Sequence, residues 1–176
     1  MQGKNHVALA LAAPLAGALL VGTPLPASAL AWGGLVLGSL APDIDGEGSI
    51  ARWGDWLPRS VTPRPLVRLL NWAGRTVSSF VRAVFGHRAA FHWPLWGVAL
   101  GLAGWSLGHD WLLWFGVGYI LHILGDALTV AGVPLLGPLL LRDFSLLPMR
   151  TGGRVEAVIG AGLWLFVGWQ LVIGYW

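Results

Sequence analysis

The sequence predicts an all-α fold, a polytopic membrane helical bundle of about five transmembrane helices plus one amphipathic helix at the interface. Three observations predict it. Of the 176 residues 56% are hydrophobic and only 11% charged, whereas about 25% charged is usual for a soluble domain. Apolar runs approaching the roughly 17 to 25 residues needed to cross a bilayer recur along the chain. The eleven basic residues, ten Arg and Lys4, cluster between those runs, the pattern that the positive-inside rule describes. The chain reads as a single membrane-embedded domain, residues 1–176.

The runs cover about 6–22, 27–41, 93–108, 111–131 and 155–176. The first contains Pro14 and the second is rich in Gly and Ala, both tolerated in membrane helices because neighbouring helices re-satisfy the backbone. Lys4 followed by an apolar run and by "PASALA" at 26–31 also fits a secretory signal with a small-residue cleavage site. Against that reading, prolines interrupt the apolar stretch and the next apolar run follows at once. Of twelve tryptophans, Trp93, Trp105, Trp111, Trp164 and Trp176 fall near span ends, as interfacial belts require.

Orientation follows from the basic residues. With the N-terminus in the cytoplasm and five crossings, Lys4, the seven arginines from Arg52 to Arg88, and Arg142, Arg150 and Arg154 all lie on the cytoplasmic side. "GHD" at 108–110 then forms a tight outer turn, with Gly108 closing one helix and Asp110 capping the next. Between spans two and three, "PLVRLLNWAGRTVSSFVRAVFG" at 65–86 spaces Arg68, Arg75 and Arg82 by seven, which drifts only about 20° per step on a helix. The stripe fits a helix lying among anionic head groups; a soluble amphipathic helix packed on the domain fits the same pattern. Pro134 and Pro138 argue against another regular span, so 133–141 is expected to be re-entrant or interfacial and buried in protein.

Composition also excludes. Without cysteine there is neither a disulfide nor a thiolate metal site, so any metal must be held by His, Asp or Glu. The arginines read as topology signals, and no direct nucleic-acid binding is expected. Serine-nucleophile, Walker and dinucleotide motifs are absent from the sequence.

Ionisable side chains inside an apolar run need a reason. His122 and Asp126 in "GYILHILGDALTVAG" are four apart and share a helical face. His6 opens span one, Asp43 and Asp45 in "PDID" end span two, and His87 and His92 in "GHRAAFHWP" precede span three. The topology therefore brings four His and three Asp to the cytoplasmic face and leaves His109 on the other. Imidazole with carboxylate suits Zn²⁺, Mn²⁺ or Fe²⁺, and seven such groups suffice for two ions sharing a carboxylate. Singly, each has a duller reading: His6 an interfacial side chain, "PDID" a polar turn, and His122 with Asp126 a hydrogen-bonded packing pair.

The order His6, "PDID", "HRxxxH" and "HxxxDxxTxxGVxLLxP" resembles the YdjM-like family of LexA-binding, inner-membrane-associated, metal-dependent hydrolases, from His6 to about Pro148. The resemblance implies an inner-membrane protein whose metal ligands are His6, Asp43, Asp45, His87, His92, His122 and Asp126, with Arg88 and Thr129 in the surrounding motif. It implies a divalent cofactor, Zn or Mn, with room for two ions. The chain departs from the family's "HRGxTHS" at Ala89, Phe91 and Trp93, losing a hydroxyl near the site. For a hydrolase the expected roles are general base for Asp45 or Asp126 and stabilisation of an anionic transition state by Arg88. A site at the cytoplasmic leaflet favours a phosphoester or lipid-like substrate, with membrane lipids as neighbours. Two other classes compete: a proton- or metal-handling transporter, which needs a polar path to both faces and commonly shows internal repeats, and a catalytically silent scaffold.

Overall fold

The computed structural model describes residues 1–45, 54–55, 57–58, 60–85 and 91–174, leaving aside the side chains of residues 45, 82, 84 and 85. Among these the protein is all-helical: α1 (Gly3–Val21), α2 (Ala29–Gly38), a 3₁₀ turn (Ala41–Asp45), α3 (Arg64–Phe85), α4 (Pro94–Leu107), α5 (Asp110–Ala127) and α6 (Arg154–Ile173). The described residues form no strands, only three isolated bridges between residues 129 and 149.

Local chemistry sets the helix ends. Ser28 starts α2 by accepting the backbone N–H of Ala31 on its side chain, an ordinary N-cap. Trp93 precedes α4 and Pro94 is its first residue, where a proline sacrifices no hydrogen bond. Gly108 ends α4 at φ 69°, a left-handed conformation that glycine adopts without strain. The expected capping role of Asp110 is not observed. His109 stands at the cap position, Asp110 is the first helical residue, and its Oδ2 is buried without a hydrogen bond.

Among the described residues two helices are long and apolar enough to cross a bilayer, α1 with 19 residues and α6 with 20, at mean hydropathies of 1.4 and 1.6. The expectation of five spans is met only to that extent. The apolar helices α2 and α4 have 10 and 14 residues, about 15 and 21 Å of helix against a hydrocarbon core of about 30 Å. Helix α2 stops early because Ser39 turns its hydroxyl back on the Val36 carbonyl and the chain tightens into the 3₁₀ turn around Pro42.

Helix α5 is the hub. Gly34 and Gly38 of α2 face the Trp111 and Phe115 carbonyls, and Gly118 of α5 faces the Leu35 carbonyl, so closely that an added Cβ at any of the three would collide with backbone. On its other side, Gly104 of α4 and Gly116 of α5 allow the same approach, the small-residue packing typical of membrane helices. Helix α1 meets the far end of α5 at Gly125, against Met1 and His6.

Burial is inverted relative to a soluble domain. Asn5, His6, Ser39, His92, His122, Asp126, Thr129, Glu156 and Gln170 are buried, while Leu20, Leu102, Trp105, Leu165, Trp169 and Val172 are exposed. Apolar exposure on this scale marks contact with something other than water.

The segment after α5 folds back over its C-terminal end. Val133 and Phe144 exchange backbone hydrogen bonds at 3.1 and 2.8 Å, and Leu146 N–H donates to the Ala127 carbonyl at 2.7 Å. The expectation that 133–141 is wholly buried is corrected: Val133, Pro134 and Gly137 are buried, but Leu136, Leu139, Leu140 and Leu141 are exposed. Gly137 N–H donates to the Pro134 carbonyl at 2.9 Å and Leu140 N–H to the Leu136 carbonyl at 3.1 Å, so these turns bond within themselves while the leucines face outward.

Candidate metal centre

The shared end of α1, α2, α4 and α5 gathers the titratable groups. Asp43 reaches in from the 3₁₀ turn, His92 from the turn before α4, and His122 and Asp126 from successive turns of α5. One donor atom from each lies within 4.8 Å of all the others. His92 Nε2 stands 3.7 Å from Asp43 Oδ1 and 3.6 Å from Asp126 Oδ2. His122 Nε2 stands 3.7 and 3.5 Å from the same two atoms. Donors held about 2.1 Å from one tetrahedral ion are themselves about 3.4 Å apart, so the spacing suits a shared cation better than direct hydrogen bonds.

The ring nitrogens bear this out. Neither Nε2 makes a hydrogen bond although both residues are at most 1% exposed, and a buried polar atom without a partner is costly. His122 Nδ1 lies 2.7 Å from the Ser39 carbonyl. A carbonyl can only accept, so Nδ1 carries the proton and Nε2 presents its lone pair to the centre, the arrangement found behind metal-bound histidines. On these observations the four residues fit a divalent cation.

His6 lies beside the four. Its ring stacks on His122 with centroids 3.8 Å apart, and its Nε2 is 3.2 Å from both Asp126 Oδ1 and the Met1 carbonyl. The Met1 ammonium also pairs with Asp126 Oδ1. Asp126 thus directs one oxygen at α1 and the other at the two imidazoles. Asp45 closes the 3₁₀ turn two residues beyond Asp43, with its side chain outside the described residues. His87 and Arg88 lie outside them altogether.

Electrostatics separate the two members on connecting segments. Burial depresses His92, but the Asp126 and Asp43 carboxylates outweigh it and leave the imidazole pushed up to about 9. Burial raises Asp43, and the His92 imidazole with the charges of His122 and His6 more than reverses this, holding its carboxyl below the usual range. Asp43 is also the member most open to its surroundings, its side chain 26% exposed against 5% or less for the other three.

Thr129 and Trp93 belong to motifs that the sequence already singled out, whereas Tyr119 and Glu156 escape sequence reasoning. Thr129 donates its hydroxyl to the Asp126 carbonyl at 2.8 Å and caps α5 just past the site. Tyr119 donates its hydroxyl to the Phe91 carbonyl, tying the His92 turn to α5. Glu156, 1% exposed, accepts from Gln2 N–H at 2.6 Å, Asn5 Nδ2 at 2.7 Å and Gly152 N–H at 2.6 Å, and so clamps the start of α1 to α6. A lone acid opening an apolar run was the available signal for Glu156, the same one that singled out Asp126. Trp93 lies on Gly137, where an added Cβ would strike its indole. That departure from the family motif therefore packs the segment after α5.

The description "YdjM inner membrane protein" matches residues 1–176. Two similar relatives are the Inner membrane protein YdjM of Escherichia coli (strain K12) and that of Shigella flexneri, each 32% identical over 137 residues, 77% of this chain. The matched region spans 63% of the length of those curated relatives. No solved structure matches. On the match over all of its residues, this chain belongs to the YdjM inner membrane protein family.

Proposed function

We propose that the chain is a metal-dependent hydrolase of the inner membrane, acting at the cytoplasmic face on a phosphoester or lipid-like substrate. The observation that carries this reading is the pair of buried, unpartnered Nε2 atoms of His92 and His122, both aimed at Asp43 and Asp126. The cation is Zn²⁺ or Mn²⁺ held by these four, with Asp45 and His87 as the donors for a second ion. When bound, such an ion supplies Lewis acidity, bringing the pKa of a water towards about 7 and polarising a phosphoryl or acyl oxygen.

The chain's own groups divide the remaining work. Asp126 is engaged on both oxygens, so its role is ligand. His6 and the Met1 ammonium hold that carboxylate in place. With a single ion bound, proton abstraction falls to Asp45, and Arg88 stabilises anionic charge. Asp43, the most open member, faces the incoming substrate.

The reading includes five crossings with a cytoplasmic N-terminus, α1 and α6 spanning fully and α2, α4 and α5 completing the bundle. It also includes α3 as a lipid-facing element. Asn71, Gly74 and Ser78 form the face that holds α3 to the protein: Asn71 Oδ1 accepts from Gly54 N–H at 2.7 Å and Ser78 donates to the Ile44 carbonyl at 2.8 Å. The apolar face of Leu66, Leu69, Trp72, Val77 and Phe80 stays exposed, with Arg68 and Arg75 beside it. A helix docked through its polar face leaves its apolar face to lipid.

Turnover by metal-loaded protein in lipid nanodiscs on a panel of lipid and soluble phosphoesters tests the proposal. Phosphate release should require added Zn²⁺ or Mn²⁺ and be abolished by Asp43→Asn. Release unchanged by chelation would overturn it, and full metal occupancy with no turnover would favour the silent scaffold.

A further inference from the structure

A wholly apolar pocket of about 400 Å³ lies among the elements that carry the donors, with none of the four donors in its lining. Its walls include Ala41 and Ile44 of the 3₁₀ turn, Phe91, Leu100 of α4, and Phe115 and Tyr119 of α5. The 3₁₀ turn and α5 each carry donors, and Phe91 adjoins one; α4, which supplies Leu100, carries none. Ala41 and Ile44 bracket Asp43, Phe91 directly precedes His92, and Tyr119 lies three residues before His122. The pocket also adjoins the turn that carries Asp43, the most exposed of the four donors.

From His122 back to Phe115 is seven residues, about 10 Å along α5. The pocket thus runs along α5 beside the charged centre, and the two together are polar at one end and apolar for the rest. The Tyr119 hydroxyl is bonded to the Phe91 carbonyl, and the lining, which also includes Trp96, presents only apolar surface. A site of this shape matches one molecule with two unlike halves. A divalent cation, together with Arg142, Arg150 and Arg154 around the same end of the bundle, selects an anionic oxygen head, and the pocket selects a hydrocarbon chain.

We infer that the pocket binds the hydrocarbon chain of a lipid phosphoester whose phosphate lies at the Asp43, His92, His122 and Asp126 donors. The inference rests on the metal reading above for the head and on the pocket alone for the chain.

The test uses the full chain in nanodiscs with dodecyl phosphate carrying a diazirine at the chain end, cross-linked sites mapped by peptide mass spectrometry and metal measured on the same samples. Label should concentrate on Leu100 and Phe115 over the exposed Leu102 and Leu165. Leu100→Trp, which fills the pocket, should cut labelling at Phe115 at least about tenfold, the scale of two buried methylenes, with metal content unchanged. If Leu100→Trp does not fold, Ala41→Leu fills the other end and should do the same. Label no stronger at Phe115 than at Leu102, or insensitive to both fillings, overturns the pocket even when metal is bound. Equal labelling by a diazirine dodecane lacking phosphate overturns the phosphoester assignment. Pocket labelling that depends on the phosphate in protein without metal keeps the chain in the pocket but overturns the metal reading and, with it, the placement of the phosphate at the four donors.

Discussion

The Ser39 carbonyl accepts the Nδ1–H of His122 at 2.7 Å across the interface of α2 and α5. The contact exists because Gly118, one turn earlier on α5, lets α2 approach until an added Cβ would strike the Leu35 carbonyl. A helix-packing residue thereby sets the tautomer of a candidate metal donor. Gly118→Val, which removes no ligand, should lower metal affinity by about 10- to 100-fold, the usual effect of losing an outer hydrogen bond. Chelator competition on folded protein checks it, and Gly33→Ala, where an added Cβ meets nothing, is the control.

Metal uptake should depend on pH in a defined direction. His92 titrates at about 9 in the metal-free protein, above its ordinary 6.5, and must lose its proton to ligate. Affinity should therefore rise about tenfold per pH unit through neutrality and level off near 9. Asp43, held below the ordinary carboxylate range, stays ionised there and adds no slope. Calorimetry in buffers of different ionisation enthalpy should find about one proton released per ion at pH 7. Without metal, the stability that protonated His92 contributes is complete below pH 6.5 and is lost as pH rises through about 9.

Glu156 should control stability and, through α1, the site. Glu156→Ala strands the Gln2, Asn5 and Gly152 donors, each at a cost of about 1–3 kcal/mol if left unpaired. Thermal unfolding should shift clearly downward, and metal affinity should weaken because His6 and Met1 lose their anchor. Glu156→Gln, which retains one acceptor oxygen, should lose less.

The absence of cysteine makes α3 accessible to single-site spin labelling. Nitroxides at Leu69→Cys and Phe80→Cys should be reached by oxygen from the bilayer, and those at Arg68→Cys and Arg75→Cys by a water-soluble nickel chelate. Aqueous access at all four sites would place the apolar face away from lipid.

The helical architecture was legible because apolar runs separated by arginine clusters leave few alternatives. The extents of α2 and α4 were not, since a short helix that packs on glycines has the composition of a long one. His122 with Asp126 was legible from the four-residue spacing, and Asp43 and His92 from their places at span ends. The second carboxylate of "PDID", on the Asp45 side chain, and the pair His87 and Arg88 fall outside what the structure describes. Ser39 and Tyr119 act through a backbone carbonyl or on one, and such contacts leave no mark in residue type. Phe91, in the sequence a loss of hydroxyl beside His92, is in the structure a wall of the apolar pocket.

The measurement closest to the central claim is metal content by mass spectrometry on the detergent-purified protein, wild type against the His122→Ala, Asp126→Ala double variant. The account predicts near-stoichiometric Zn or Mn in wild type and its loss in a variant that remains folded. Folded wild-type protein that takes up no divalent metal after loading, or a double variant that keeps its full complement, would contradict it.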